Sequence, residues 1–225
     1  MNENLAVLDF LARWGHILFG VCWIGLLYYF NFVQTEYFKE ADADARSDAI
    51  SKLVPRALWW FRWSAMFTFL TGLVMLGFRG ANVSLDITLG AVMGTLMFLN
   101  VWLIIWPNQK IVIASNAQVK GGGEALPAAA GAAPKATLAS RTNTLFSIPM
   151  LFFMASSVHL SSAKGIGHGM IGDSGMIALG VALAIIVALE LNAIFGKQGP
   201  MTTVRGVVIS GLVLTAVLWV VVAML

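Results

Sequence analysis

Six stretches of the chain stay apolar for about twenty residues each: Leu8 to Phe32, Leu58 to Phe78, Leu85 to Trp106, Thr144 to Ala163, Ser174 to Phe195, and Val204 to Leu225. A backbone that crosses lipid must satisfy its own hydrogen bonds, so each stretch reads as a helix. The pattern predicts an all-α, polytopic membrane helix bundle of about six transmembrane helices, with residues 1–225 as a single domain. The fourth stretch is the most polar, carrying serines and Pro149, and that proline predicts a kink or an end to its first turn. Two connections have their own character. Residues 33–57 predict a cytoplasmic loop with a surface helix over the charged run TEYFKEADADARSDAISK. Residues 107–143 contain GGG and AAAGAAP, a composition too small to bury a core, and predict a flexible cytoplasmic linker.

Composition makes the membrane reading firm. The 225 residues are 59% hydrophobic and 11% charged, with a mean hydropathy of +0.82. A soluble domain carries about 25% charged residues, so this chain could not cover its apolar surface in water. The net charge of +3 does not point to nucleic acid, because the basic residues are scattered and form no cluster. They are distributed unevenly across the membrane instead. Lys39, Arg46, Lys52, Arg56, Lys110, Lys120, Lys135, Arg141, Lys197 and Arg205 fall on one side, against Arg79 and Lys164 in the opposite loops. By the positive-inside bias, both termini are expected in the periplasm of a multi-pass protein of the bacterial inner membrane. An acidic loop after the first apolar run, with no small-residue cleavage site, predicts no cleaved signal peptide. The single cysteine, Cys22, excludes a disulfide framework, a cysteine-held iron–sulfur cluster and a CxxCH haem attachment.

Titratable groups inside a span are costly and point to function. His16 is the first candidate, flanked by Gly15 and Gly20, which would let a flat macrocycle or another helix approach closely. Imidazole is a common axial ligand of haem iron and binds copper or zinc. The structural alternative is a histidine that hydrogen-bonds across helices. His159, near the outer end of the fourth helix, falls in the same leaflet and is the second candidate ligand. As an interfacial histidine it would need no ligand role. Arg13 is placed to neutralise a haem propionate. With His168, the histidines could also form a copper or zinc site, although His168 reads more simply as a loop residue. Glu190 and Asn192 would suit a proton or ion path, one that Asn100 could also line, but show no evident partners. Arg62 reads as a side chain snorkelling to the interface among tryptophans. Gly90 and Gly94 form a GxxxG, expected to mark a close helix contact inside the bundle or between protomers.

Four segments are similar to the membrane domain of the bacterial membrane-bound urate oxidase (urate hydroxylase) family. They are residues 16–34 (HILFGVCWIGLLYYFNFVQ), 53–63 (LVPRALWWFRW), 106–110 (WPNQK) and 141–154 (RTNTLFSIPMLFFM). The first helix alone more distantly resembles the small haem-binding membrane protoporphyrinogen oxidases, where His16 matches the position of their iron-holding histidine. These resemblances imply an oxidoreductase that holds haem b through His16 and His159, with Arg13 beside it. The substrate would be purine-like. The long urate oxidases carry a cytochrome c domain that this sequence lacks. Its electrons would therefore go to a separate cytochrome c, another membrane or periplasmic electron carrier, or a partner membrane subunit. The alternative is a non-catalytic accessory or scaffold subunit of a larger respiratory or oxygenase complex.

Overall fold

The computed structural model describes residues 3–80, 83–160 and 173–225. Six long helices account for nearly all of them: α1 (Glu3–Glu40), α2 (Ala43–Arg79), α3 (Leu85–Lys120), α4 (Pro127–His159), α5 (Asp173–Phe195) and α6 (Val204–Met224). A single 3₁₀ turn, Gly199–Thr202, precedes α6. Five helices are long and apolar enough to cross a membrane, and α4 is the exception. Its polarity is accounted for by its position, because Arg141, Thr142, Asn143, Thr144 and Ser147 are each 1% exposed or less. α4 turns its polar face to protein rather than lipid. The apolar side chains left on the outside, such as Phe10, Ile17, Val21 and Leu103, face where acyl chains would lie.

Two of the expected loops are helix. The stretch 107–143 is not a flexible linker: α3 continues to Lys120, and α4 begins at Pro127. Alanine is the best helix former and proline is pre-set for a first helical position. Only 121–126 breaks the path, where Gly122 takes a positive φ of 85°. Small side chains here allow close approach, with Ala132, Ala136 and Ala139 buried. In the stretch 33–57 the charged run is helical as expected, over Thr35–Glu40 and again from Ala43, but as the ends of two long helices rather than as a helix of its own. α1 runs on to Glu40, a break falls at Ala41 and Asp42, and α2 starts at Ala43. These extensions are tied together by Asn116 Nδ2, which donates to Ser47 O at 3.0 Å, and by Lys52 and Lys120, which both pair with Asp48.

Both α1 and α3 open into a π-helical turn, at Tyr29–Gln34 and Asn100–Ile105. In α3 the wide turn comes directly before Pro107. Proline would otherwise clash with the carbonyl four residues back and leave it without a donor, so the opened turn lets the helix pass. Pro149 does not end α4, which continues to His159.

In lipid, helices associate through close packing and polar bonds rather than through expulsion of water. The GxxxG makes such a contact inside the bundle. A side chain on Gly90 would meet Met154 Cγ at 2.9 Å and Met154 N at 3.4 Å, while Gly94 faces Met150 Sδ and Met154 Cε. Gly90→Val would push branched carbons into the α4 backbone. It is expected to cost about 1–3 kcal/mol by overpacking and to lower the melting temperature in detergent by roughly 5 °C. An unchanged melting curve would show that this contact is loose.

Candidate functional site: an apolar cavity and an internal polar cluster

A cavity of about 670 Å³ opens among α1, α2, α3 and α4, in the half of the bundle that holds the start of α1. Its wall is almost wholly aliphatic, aromatic and thioether. The polar groups on it include Arg13, His16, Arg79 and His159. The three residues singled out from the sequence therefore line one space, although they stand in it differently.

His16 is held by its neighbours. Its Nδ1 lies 2.9 Å from the Thr68 carbonyl oxygen and 3.3 Å from Thr71 Oγ1. A carbonyl oxygen can only accept, so Nδ1 carries the proton and donates. The lone pair is then on Nε2, the tautomer a metal-binding histidine adopts when a carbonyl orients its other nitrogen. Gly72 makes room for the ring, since a Cβ there would stand 3.2 Å from His16 Cε1. Gly15 and Gly20 both face threonine methyls of α2. Gly15 serves the approach of a helix, while Gly20 also lines the cavity.

His159 is the last residue of α4, and its side chain is exposed at the cavity's edge. Arg13 already has a partner, with Nε 2.8 Å from Asp9 Oδ2. Such a half-exposed pair is worth under about 1 kcal/mol, so Arg13 can be shared at small cost. Arg79, at the end of α2, adds a second guanidinium to the cavity lining. In the sequence it looks like an ordinary loop charge, and only the antiparallel packing of α1 on α2 gives it a role. Among the described residues no three His, Cys, Asp or Glu gather as a metal site. The three-histidine copper or zinc arrangement depends on His168, which lies outside the described residues.

A second set of polar groups is buried around α4, in the half holding the π-helical turns. Asn143 Nδ2 donates to Met97 O at 2.9 Å, Asn100 Nδ2 donates to Asn143 Oδ1 at 2.9 Å and to Glu190 Oε2 at 3.1 Å. Asn31 Nδ2 donates to Leu27 O and to Ser140 Oγ. Tyr28 and Ser147 join hydroxyls at 2.9 Å. Glu190 thus has a partner that its sequence surroundings do not suggest. Asn192 does not share the site: it is half-buried and clasps the backbone of Lys197 after α5. A path lined jointly by Glu190, Asn192 and Asn100 is therefore not formed. Arg62 sits over Trp106, its Cζ 3.7 Å from the ring centre, and so bridges α2 to α3. Asn143 and Arg141 stand inside the RTNT run, whose polar residues before an apolar helix were the only available signal.

A family model described as urate oxidase N-terminal matches residues 78–220, more than half of the chain. No curated protein and no solved structure matches it.

Proposed function

The chain belongs to the urate oxidase N-terminal family, and we propose that it is a redox protein that carries haem b in the α1–α4 cavity and oxidises a purine-like substrate. The observation that carries this reading is the fixed tautomer of His16, whose Nδ1 is committed to Thr68 O and whose Nε2 is left as a ligand in an apolar space. The fit extends to the rest of the donor set. About 670 Å³ lies within the usual range of cofactor sites. Arg13 and Arg79 offer positive charge where a haem would present its propionates. His159 is available as a second ligand from the cavity's edge, and Met150 and Met154 bring softer thioethers to the same wall.

A bound haem would supply one-electron steps between ferric and ferrous iron. The residues of this chain would set the conditions for them. His16 would hold the iron and Thr68 O would keep the imidazole from turning. The aliphatic wall would exclude water and lower the local dielectric, which strengthens every charge interaction there. Electrons would leave to a separate acceptor such as a cytochrome c. The excess of lysine and arginine at the opposite end of the bundle supports placing the cavity on the periplasmic side.

The test is a dithionite-reduced minus oxidised visible spectrum of the detergent-purified chain, with a pyridine haemochrome to identify and count the haem. The expected result is a b-type signal near one haem per chain. A featureless spectrum from well-folded protein would overturn the proposal.

A further inference from the structure

One stretch of α2, from Thr68 to Gly72, makes three different provisions for the His16 ring. Thr68 offers its carbonyl oxygen, 2.9 Å from Nδ1. Thr71 brings a hydroxyl oxygen to 3.3 Å from the same nitrogen. Gly72 leaves room, since a Cβ there would stand 3.2 Å from Cε1. Thr68 and Gly72 also line the cavity, whereas Thr71 reaches the ring from outside that lining.

The hydroxyl proton of Thr71 can be followed. Its Oγ1 lies 2.6 Å from Phe67 O and 3.0 Å from Thr68 O, carbonyl oxygens that can only accept. One of them takes the proton, and the shorter contact is to Phe67. Oγ1 then keeps its lone pairs, and the His16 Nδ1–H is the donor that reaches them. That N–H is therefore shared between two oxygens, as a three-centre bond. One is a backbone carbonyl that no side-chain substitution removes, and the other is a hydroxyl that the sequence supplies. The threonine is also held in orientation. Its Cγ2 stands 3.5 Å from where a Cβ on Gly15 would be, so the methyl faces α1, and a β-branched side chain has few rotamers to choose from. A threonine serving its own helix alone would need only the bond back to Phe67 O. This one is brought to the ring of a residue 55 positions away.

We propose that Thr71 is a positioning residue for this site: its hydroxyl draws on the Nδ1–H of His16 and so sets how strongly Nε2 binds iron. The inference rests on the reading of the cavity as a haem site. A hydrogen bond accepted from the far nitrogen of a ligating imidazole makes the near nitrogen more basic. A more basic ligand favours ferric over ferrous iron and lowers the potential, one of the levers a protein has over a haem.

The experiment uses the full chain in detergent, as the wild type, Thr71→Val and Thr71→Ser. Valine keeps the shape and the methyl of threonine and loses the oxygen, while serine keeps the oxygen. In a chain that carries haem, the affinity for haem and the midpoint potential from a spectroscopic redox titration are read. Thr71→Val is expected to bind haem on the order of 10-fold more weakly and to have a higher potential, because ferric iron loses part of its donor. Thr71→Ser is expected to return both towards the wild type. In a chain that carries no haem, the NMR resonance of the His16 Nδ1 nitrogen is read instead, assigned by its loss in His16→Ala. It is expected to move in Thr71→Val and to move back in Thr71→Ser. Wild-type affinity and potential in Thr71→Val would overturn this inference and leave the redox proposal standing. An equal change in both variants would also overturn it, since shape rather than the hydroxyl would then be responsible. A chain without haem defeats the redox proposal, and the resonance still decides whether Thr71 acts on the imidazole: an unchanged resonance in Thr71→Val shows that it does not.

Discussion

His16→Ala is expected to strip the purified chain of the haem b proposed for it, from about one per chain to none detectable, with the α-helical content of the bundle unchanged. The size of the effect follows from the cavity's chemistry. Its wall offers aliphatic surface everywhere, and such surface would hold a haem by burial alone with little preference for orientation. Among the described residues, the imidazole oriented by a neighbour's backbone is that of His16, through the 2.9 Å contact with Thr68 O. Losing a second-shell partner of a metal ligand already costs 10- to 100-fold in affinity, and losing the ligand itself removes more. His159→Ala is expected to behave differently. His159 is exposed at the end of α4, so its removal should leave most of the haem in place and alter the spectrum only if it supplies the second ligand. Added imidazole should restore the spectrum of His16→Gly, because it can enter the vacated space. Full haem retention in His16→Ala would sink the assignment of this ligand. Equal loss in both histidine variants would place them on one iron.

The other large effect is expected at Asn143. This side chain is fully enclosed and ties α4 to α3 twice, donating to Met97 O and accepting from Asn100. Asn143→Ala leaves the Asn100 amide with only Glu190 to satisfy it, and Met97 O without the side-chain donor it had. Interhelical hydrogen bonds in membranes average well under 1 kcal/mol when measured in pairs, while a buried group left unpaired costs about 1–3 kcal/mol. Both groups keep one partner, Asn100 Nδ2 with Glu190 and Met97 O with the Asn100 backbone N–H, so the cost is that of two lost bonds and the space left in a site where Met97, Val101 and Phe146 are each at most 1% exposed. The expected loss is therefore about 2–3 kcal/mol, measurable by unfolding in mixed micelles. A double-mutant cycle with Asn100→Ala should return a coupling of about 1 kcal/mol. Strict additivity would mean that water takes over the lost bonds.

These residues differ in how visible they are from sequence. The six apolar runs and the isolated His16 stand out because a lipid-crossing segment tolerates few polar side chains, so each exception is conspicuous. Arg141 and Asn143 were harder to see. They precede an apolar run in a helix whose average polarity disguises it as a loop boundary, and their burial depends on helices distant in sequence packing over them. The alanine-rich stretch misled in the opposite sense. Small side chains indicate a linker when nothing approaches them, and close helix packing when something does, and composition is the same in both cases. The partner of Glu190 was hidden for a similar reason, since Asn100 lies ninety residues away in the chain.

The all-helical membrane bundle, its approximate number of spans and the candidacy of His16 were legible in the order of residues. Each depends on local physics, namely backbone hydrogen bonding in lipid and the cost of a polar group there. The meeting of Arg13, His16, Arg79 and His159 around one cavity is a matter of tertiary structure. So are the tautomer imposed on His16 by a backbone carbonyl and the enclosure of Arg141, whose Nε and Nη1 are buried without a hydrogen-bond partner among the described residues. These arise from how antiparallel helices dock, and docking depends on contacts between residues tens of positions apart that no local pattern encodes.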